Sequence, residues 1–549
     1  MCIRDRLETE YDNLSANYTS LKEELEEWKT YQSIINWNFD GDCPTEYAIS
    51  YSSGIDNGDN NGNAGNHVLE DGEIDHSASV CKAGMSAVTN NTSGYMSDLT
   101  EFNEKFYYSH EGSADYGYEL WTMDYYGNAE MLKDINSGEA DSYPWIIGQT
   151  EDLLFFRATT SLNGYELWVT DGTESGTNIV KDIRPGTNSG FYPYNGFHYF
   201  NGKFYFEADN GTTGGELWAT DGTENGTYLV KDIRGEDSNG NNYGSNPSGF
   251  TVIGDTMYFI ADDGEHGSEP WMTDGTANGT RMLKDIREEN SDGNNYGSTY
   301  GCDMDCDEYF EPFYKFGDRI YFGADDGVHG DEVWYTDGTA NGTRMLKDIR
   351  EEDSNGNNYG SFNCYYQKCF LEFNDRLWFE ANDGIHGDEL WYTDGTEAGT
   401  YMFADIREEN SDGYNYGSYP EFSFITEDYF YFIAHDGDSQ RLFMTDGKQM
   451  IMDLDVHSSD VYISGTPVMF DGEFYMSLRT QPTGYELWKS DGTPEGTVMV
   501  HEFWSGTNGG SPHNLMVVNN NLLFMIAYPG DSALYYHKLF AYAVEDYEI

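Results

Sequence analysis

The sequence predicts an all-β protein, because one pattern of strands and turns recurs along about four-fifths of its 549 residues. The unit contains Glu-Leu-Trp, then Thr-Asp-Gly-Thr, then Lys-Asp-Ile, and its period is roughly 50 residues. The Asp that opens each turn is found at Asp124, Asp171, Asp221, Asp274, Asp337, Asp394, Asp446 and Asp491. Eight copies and a partial ninth predict a β-propeller of eight or nine four-stranded blades over residues 95–549.

The third copy shows how the strands are predicted. Residues 203–207 alternate aromatic and polar side chains, 216–220 hold the Glu-Leu-Trp strand, and 227–232 end in Lys-Asp. The Asp-Gly pair at 221–222 predicts a tight turn, because Gly accepts positive φ and Asp caps the turn through its carboxylate. A weaker strand at 249–253 precedes the next aromatic pair. Four short antiparallel strands per unit are typical of one propeller blade.

Composition narrows the class of protein. Asp and Glu number 98 against 29 Lys and Arg, so the formal net charge is −69. Such a field repels phosphates, which excludes nucleic acid and anionic membranes as partners. The charge suits a soluble protein in salty water, or one that holds many cations. Because 16% of the residues are aromatic, the chain is not a disordered acidic polymer.

The N-terminal residues 1–6, Met-Cys-Ile-Arg-Asp-Arg, resemble translated sequencing-adapter sequence. We therefore expect them to be foreign to the protein, and a signal peptide or membrane anchor to be missing upstream. The expected location is extracellular or anchored at the cell surface.

Cysteine usage agrees with that location. Apart from Cys2, the cysteines are Cys43, Cys81, Cys302, Cys306, Cys364 and Cys369. An even number with close local pairs predicts disulfides in an oxidising compartment, the alternative being six unpaired thiols. Local pairing, 302 with 306 and 364 with 369, is the first expectation, and pairing across blades is the alternative.

Residues 7–38 carry a heptad pattern that predicts a coiled-coil helix. The d positions are Leu7, Leu14, Leu21, Trp28 and Ile35, and the a positions are Tyr11, Tyr18 and Leu25. A period of 3.5 residues favours a stalk that forms a homo-oligomer through residues 7–35. The alternative is a single amphipathic helix that lies on the body.

Residues 40–85 are rich in Asp, Asn and Gly between Cys43 and Cys81, and a hard cation needs such oxygen ligands. The region resembles a small secreted module in which two cysteines flank an EF-hand-like loop. The matching residues are Gly54, Asp56, Leu69, Glu73, Ile74, Val80 and Cys81, with extra residues after Asp56 that depart from the pattern. Candidate calcium ligands are Asp56, Asp59, Asn61, Asn63 and Glu73. The alternative is an Asn/Gly-rich linker.

A second candidate calcium site is an insertion after the Lys-Asp-Ile-Arg segment, at 237–245, 290–298, 353–361 and 410–418. Oxygen-bearing side chains at alternate positions suit calcium, and they suit water-exposed Asn-Gly turns equally well. The candidate ligands are Asp237, Asn239, Asn241, Asp292, Asp353, Asn355, Asn357 and Asp412. Four such loops would give one rim of the propeller a strongly acidic face.

A motif of the form Asp-Asp-Gly-x-His-Gly-x-Glu recurs at 262–269 and 325–332, and as Asn-Asp-Gly-Ile-His-Gly-Asp-Glu at 382–389. His and Glu three residues apart could bind a metal or act as acid and base. Recurrence in successive blades favours a structural network instead, because a propeller has one active centre.

The repeats resemble the family of E-L-W-x-T-D-G-T repeat proteins, found in surface and secreted proteins of bacteria and archaea. The resemblance implies a propeller and no particular reaction, and no residue is predicted to be catalytic. We expect a non-catalytic binding or adhesion protein that engages extracellular glycans or surface polymers. The alternatives are an extracellular enzyme that acts on polysaccharides and an architectural surface-layer component.

Overall fold

In the computed structural model of the chain, the described residues are 36–38, 48–54, 74–81, 85–87, 96–111, 116–124, 128–193, 196–237, 239–287, 297–299, 312–351, 359–362, 369–407, 416–426, 428–453, 461–481, 483–493, 496–503, 509–518, 521–529 and 535–542. The chain has two compact units, one of residues 93–515 and 526–537 and one of residues 1–92, 516–525 and 538–549.

The larger unit contains eight four-stranded antiparallel sheets, each built from four strands that are consecutive in the chain. We number these sheets blades 1 to 8. Blades 1 and 2 are Met96–Phe102, Lys105–Glu111, Tyr118–Met123, Ala129–Lys133, and Trp145–Gln149, Leu154–Ala158, Glu166–Thr170, Asn178–Lys181. Blades 3 and 4 are Phe197–Phe200, Lys203–Asp209, Gly215–Thr220, Tyr228–Lys231, and Ser248–Ile253, Thr256–Asp262, Ser268–Thr273, Arg281–Met282.

Blades 5 and 6 are Tyr314–Phe316, Arg319–Asp325, Asp331–Thr336, Arg344–Met345, and Leu371–Phe373, Arg376–Asn382, Asp388–Thr393, Tyr401–Ala404. Blades 7 and 8 are Glu421–Ile425, Phe430–His435, Gln440–Thr445, Met450–Asp453, and Tyr462–Phe470, Glu473–Thr480, Gly484–Ser490, Val498–His501. The all-β, propeller-like architecture with eight four-stranded repeats is confirmed. The weak strand predicted at 249–253, which the sequence reasoning counts with the third repeat, belongs instead to blade 4 as its first strand.

A ninth sheet has seven strands, in the order Asn36–Asn38, Ala48–Gly54, Ile74–Cys81, Met85–Ala87, Tyr535–Tyr542, Asn521–Pro529, His513–Val518. The partial ninth repeat is therefore not a separate four-stranded blade. Its last strand pairs with 85–87, Phe540 opposite Ala87 and Tyr542 opposite Met85. A strand edge offers unpaired N–H and C=O groups, and here the strand 85–87, at the end of the region predicted as a calcium module, supplies the partner.

The predicted helix at 7–38 lies outside the described residues except at its end, where 36–38 form a strand that pairs with 50–52. The described part of the chain contains one short 3-10 helix, Glu397–Gly399. No helix in that part is both long enough and apolar enough to cross a membrane.

Aromatic side chains fill the space between adjacent blades. Between blades 3 and 4, one buried cluster joins Tyr205 and Leu217 to Phe259 and Trp271. The same arrangement joins blade 2 to blade 3 and blade 5 to blade 6. The hydrophobic core is thus a series of layers, each shared by two sheets, which explains why a strand-rich chain needs so many Phe, Tyr and Trp residues.

The Thr-Asp-Gly-Thr turn closes through side-chain hydrogen bonds. In blade 3, the N–H and hydroxyl of Thr223 donate to Asp221 Oδ1 at 3.0 and 2.7 Å, and Gly226 N–H donates to Thr223 Oγ1 at 3.0 Å. The hydroxyls of Thr220 and Thr227 are 2.6 Å apart. Equivalent bonds form in blades 2, 4, 5, 6 and 8. The predicted Asp-capped turn is confirmed.

In blades 1 to 5, the Lys of the Lys-Asp-Ile segment ties the blade to the next one. Lys347 of blade 5 donates from Nζ to the Thr400 carbonyl at 2.9 Å, and it lies 5.8 Å from the centre of the Trp391 ring, both in blade 6. The equivalent bonds are Lys133 to Thr177, Lys181 to Thr227, Lys231 to Thr280 and Lys284 to Thr343. Because each ammonium satisfies a turn carbonyl of its neighbour, the lysines fix the order and spacing of the blades.

We expect Gly226→Ala to destabilise the protein by about 2 kcal/mol. A Cβ at this position would overlap the Asp221 carboxylate, which would have to leave Thr223. Urea denaturation of this variant and of Gly235→Ala, where a Cβ meets nothing within 4 Å, measures the difference. Equal stability of the two variants would show that the Asp-capped turn does not matter.

We expect Lys347→Met to destabilise the protein by about 1–2 kcal/mol, because the Thr400 carbonyl loses its charged donor. Lys448→Met, at an exposed lysine, is the control and should change the unfolding free energy by less than about 0.5 kcal/mol. Identical denaturation midpoints would contradict the role given to the inter-blade lysines.

Candidate functional site

The candidate site is the rim, by which we mean one end of each blade. The rim consists of the turn between the second and third strands and the segment that leaves the fourth strand. The described residues of the rim are 210–214, 232–237 and 239–245 in blade 3, and 326–330, 346–351 and 359–361 in blade 5. Most of the polar groups that the sequence singles out for chemistry belong to the rim.

A buried glutamate organises the rim of seven of the eight blades, and blade 3 shows the arrangement. Glu216 is 0% exposed and accepts hydrogen bonds from the N–H groups of Ile233 at 2.9 Å and Arg234 at 3.2 Å. It also accepts from the N–H and hydroxyl of Ser245, at 3.0 and 2.6 Å. The carboxylate therefore determines the path of the whole segment between the fourth strand and the next blade.

The same arrangement recurs in six more blades. The equivalent carboxylates, all 0% exposed, belong to Glu119, Glu166, Glu269, Glu332, Glu389 and Glu486. Each accepts from a backbone N–H further along the chain, sixteen residues on for Glu119 and seventeen for the others. The donors are Ile135, Ile183, Ile286, Ile349, Ile406 and Phe503. Sequence reasoning treats this Glu as an ordinary strand residue. The available signal is that a Glu stands two residues before the Trp in every clear copy of the repeat.

Burial raises the pKa of these carboxyls, and the hydrogen bonds from the segment lower it only in part. The pKa rises to about 7 for Glu166, Glu216, Glu269, Glu332 and Glu389. The pKa of Glu119 is raised for the same reason. These groups hold the rim together and face the backbone, so they are not available to a ligand.

The repeated histidines pair with aspartate and not with the glutamate three residues later. The ring Nδ1 of His266 lies 2.8 Å from Asp263 Oδ2, and the backbone N–H of His266 donates to Asp263 Oδ1 at 2.8 Å. His329 with Asp326 and His386 with Asp383 repeat this geometry at 2.8 and 2.7 Å. The hydrogen bond to aspartate raises the pKa of each of these histidines. The structural-network interpretation accounts for all three copies.

Of the candidate calcium ligands, the structure describes Asp237, Asn239 and Asn241. Asp237 accepts at Oδ1 from the N–H groups of Asn239 and Asn241, both at 2.8 Å, and the amide of Asn241 lies 3.1 Å from Oδ2. The loop thus closes on its own aspartate, as the plain-turn alternative expects. The other candidate ligands lie outside the described residues. Among the residues that are described, no three His, Cys, Asp or Glu side chains are grouped as a metal site.

Cys369 is disulfide-bonded and buried. Its partner lies outside the described residues, so both pairing schemes remain predictions. Cys81 ends a strand of the ninth sheet, and Cys43, Cys302, Cys306 and Cys364 lie outside the described residues.

The rim also carries a row of exposed tyrosines that sequence reasoning did not single out. Tyr243, Tyr359 and Tyr416 occupy the same place in blades 3, 5 and 6, two residues before the Ser that binds the buried glutamate. Each ring has an arginine guanidinium over it: Arg234 at 5.6 Å, Arg350 at 5.1 Å and Arg407 at 5.2 Å. The available signal is the recurrence of Tyr-Gly-Ser at the end of each insertion.

We expect the protein to be less stable at pH 8 than at about pH 5. The folded-state pKa of the five glutamates, about 7, lies above the ordinary value of 4.5, so the folded state holds protons that the unfolded chain loses as pH rises. Stability is therefore lost as the pH rises from about 4.5 to 7, because the unfolded chain releases these protons before the folded state does.

Glu216→Gln isolates one of these groups, and the exposed Glu224→Gln is its control. The unfolding free energy is measured by denaturation at several pH values and constant high salt. Its decrease with rising pH should be smaller in Glu216→Gln by about the contribution of one carboxyl group, and unchanged in Glu224→Gln. A parallel pH dependence in both variants would show that Glu216 ionises normally.

Comparison with known proteins adds information on the fold alone. No protein-family model matches the sequence. No curated protein matches it. Among solved structures, puromycin hydrolase is 11% identical with a TM-score of 0.34, covering 80% of this chain and 60% of that one.

A mutant of prolyl oligopeptidase B from Galerina marginata is 9% identical with a TM-score of 0.35, covering 82% of this chain and 55% of that one. The tricorn protease is 11% identical with a TM-score of 0.23, covering 93% and 44%. This chain thus spans less than two thirds of the length of each of these proteins.

Proposed function

We propose that the chain is a non-catalytic binding or adhesion protein, extracellular or displayed at a cell surface, that engages glycans or other surface polymers through the rim. One observation carries this proposal: the same rim groups recur in successive blades, each tied to the buried glutamate of its own blade. A protein with several equivalent sites in a row binds a polymer of repeating units with higher overall affinity than any one site would give, because one polymer chain occupies several sites at once. An enzyme needs one centre at which different groups converge.

The use of the acid–base groups supports binding over catalysis. The carboxylates of the Glu-Leu-Trp strands are fully buried and accept backbone hydrogen bonds. The rim histidines at 266, 329 and 386 are each paired with an aspartate three residues earlier. Because these side chains are held by hydrogen bonds in the same way in several blades, they give a polymer a rigid surface. They do not form a pair of acid and base with different pKa values, as acid–base catalysis requires.

Two further features support an extracellular setting. The Cys369 disulfide suits an oxidising compartment. The repeats match the E-L-W-x-T-D-G-T pattern, and we propose that the chain is a member of that family of surface and secreted proteins. With a net charge of −69, we also propose that calcium stabilises the acidic loops, since divalent cations relieve the repulsion between them.

A panel of cationic, neutral and anionic polysaccharides tests the proposed function. We expect the protein to be retained by at least one non-anionic polymer and to release no new reducing ends from it. Affinity electrophoresis measures the retention, and a reducing-end assay on the same mixtures measures cleavage. Cleavage of a bound polymer would favour the enzyme alternative, and retention by none of the polymers would contradict the binding function.

The calcium part of the proposal has its own test. A thermal melt with calcium, with magnesium and with chelator, at fixed high salt, should give the highest melting temperature in calcium. Equal melting temperatures in calcium and chelator would reduce the acidic loops to hydrated turns, without affecting the polymer-binding proposal.

A further inference from the structure

We propose that the arginine-backed tyrosines of the rim are the polymer-binding subsites, one in each of blades 3, 5 and 6, and that they bind a polysaccharide of amino-bearing hexopyranose units. This inference rests on the proposed binding function and goes further by naming the residues and the chemistry of the ligand. Tyr243, Tyr359 and Tyr416 define the subsites in the described blades.

Exposure of the rings is the first argument. Tyr243 is 59% exposed, Tyr359 61% and Tyr416 49%. An arginine covers one side of each ring, so the exposed area belongs to the remaining face and edge. Exposed tyrosines at equivalent positions on three blades present a repeated set of flat, apolar surfaces with a hydroxyl at one end.

Rigidity is the second argument. Arg350 is fixed at both ends. Its backbone N–H donates to buried Glu332 at 3.4 Å, and its guanidinium donates to the Gly360 carbonyl at 3.4 Å. Arg407 repeats both bonds, to Glu389 at 3.4 Å and to the Gly417 carbonyl at 3.2 Å. A platform held in this way loses little conformational entropy when a ligand stacks on it.

The backbone beside each tyrosine is equally constrained. Gly330, in the second turn of blade 5, lies so close to Tyr359 and Gly360 that a Cβ would overlap their main chain. Gly387 has the same relation to Tyr416 and Gly417. The ring positions are therefore set by the blade and not by a mobile loop tip.

Charge selects the class of ligand. The segments that lead to these tyrosines carry Glu236 and Asp237 in blade 3 and Glu351 in blade 5, within a chain of net charge −69. Such a field repels uronate and sulfate polymers and attracts ammonium groups. A sugar ring supplies the flat C–H face that stacks on tyrosine, and its amino group supplies the positive charge. A glucosamine polymer has both properties in every unit.

The test compares three polymers: a glucosamine polymer at mildly acidic pH, its N-acetylated neutral form, and polygalacturonate. We expect the wild-type protein to bind the glucosamine polymer most tightly and polygalacturonate least. The affinity for a long glucosamine chain should exceed that for its dimer at equal sugar concentration, because the chain engages several blades.

The decisive variants replace the tyrosines by alanine. Each single change should weaken binding by about tenfold, and the triple variant Tyr243→Ala, Tyr359→Ala, Tyr416→Ala should weaken it by at least about a hundredfold. Tyr401→Ala is the matched control: Tyr401 is 54% exposed and lies 5.8 Å from Lys347, but it follows the Thr-Asp-Gly-Thr turn at the other end of blade 6. We expect this control to bind like the wild type.

The outcomes separate the two proposals. If the wild type binds a polymer and the triple variant binds it equally well, the tyrosine subsites are wrong and the binding function stands. If polygalacturonate binds best, the amino-sugar assignment is wrong. If no polymer binds the wild type, the proposed function itself fails. Far-ultraviolet circular dichroism and melting temperatures verify that each variant is folded.

Discussion

The buried carboxylate of each Glu-Leu-Trp strand is the constraint on which the rest of the repeat depends. A carboxylate removed from water is costly unless donors surround it, and this one is surrounded by main-chain N–H groups and a serine hydroxyl from a segment that would otherwise be irregular. The need to satisfy Glu216 and its equivalents therefore dictates where the chain runs after each fourth strand. The lysines, arginines and tyrosines that follow are placed by that path.

Inter-blade contacts use the few cations of a very acidic chain. The arginine next to the glutamate-bound isoleucine pairs with an aspartate of the following blade, as Arg184 does with Asp209 at 2.5 Å and Arg287 with Asp325 at 2.7 Å. The preceding lysines bind turn carbonyls of the same neighbour. Partly buried pairs of this kind are screened less by salt than surface pairs, so the blades stay connected in a salty medium while the outer carboxylates keep the protein soluble.

The strands, their turns and the number of full repeats could be predicted from the sequence, because alternating aromatic residues and Asp-Gly turns are local signals. The sequence predicts the strand at 249–253 but not the sheet to which it belongs, since sheet membership depends on contacts between residues that are distant in the sequence. The role of Glu216 was missed because its donors lie seventeen and more residues away. The sequence does not indicate the row of tyrosines, because a Tyr in an Asn/Gly-rich loop is recognisable as a binding surface only when the structure places Arg234 over its ring. The seven-stranded sheet joins residues 36–87 to 513–542, and no local pattern indicates such a pairing.

Infrared difference spectroscopy of the protonated carboxyl band tests the central claim most directly. On titration from about pH 5 to 8 at high salt, the account predicts a group of carboxyls that lose their protons near pH 7, well above the range of ordinary glutamates. Replacing Glu269 by Gln should remove one member of this group from the spectrum. Complete loss of the protonated band below about pH 5.5 in the folded protein would contradict the account.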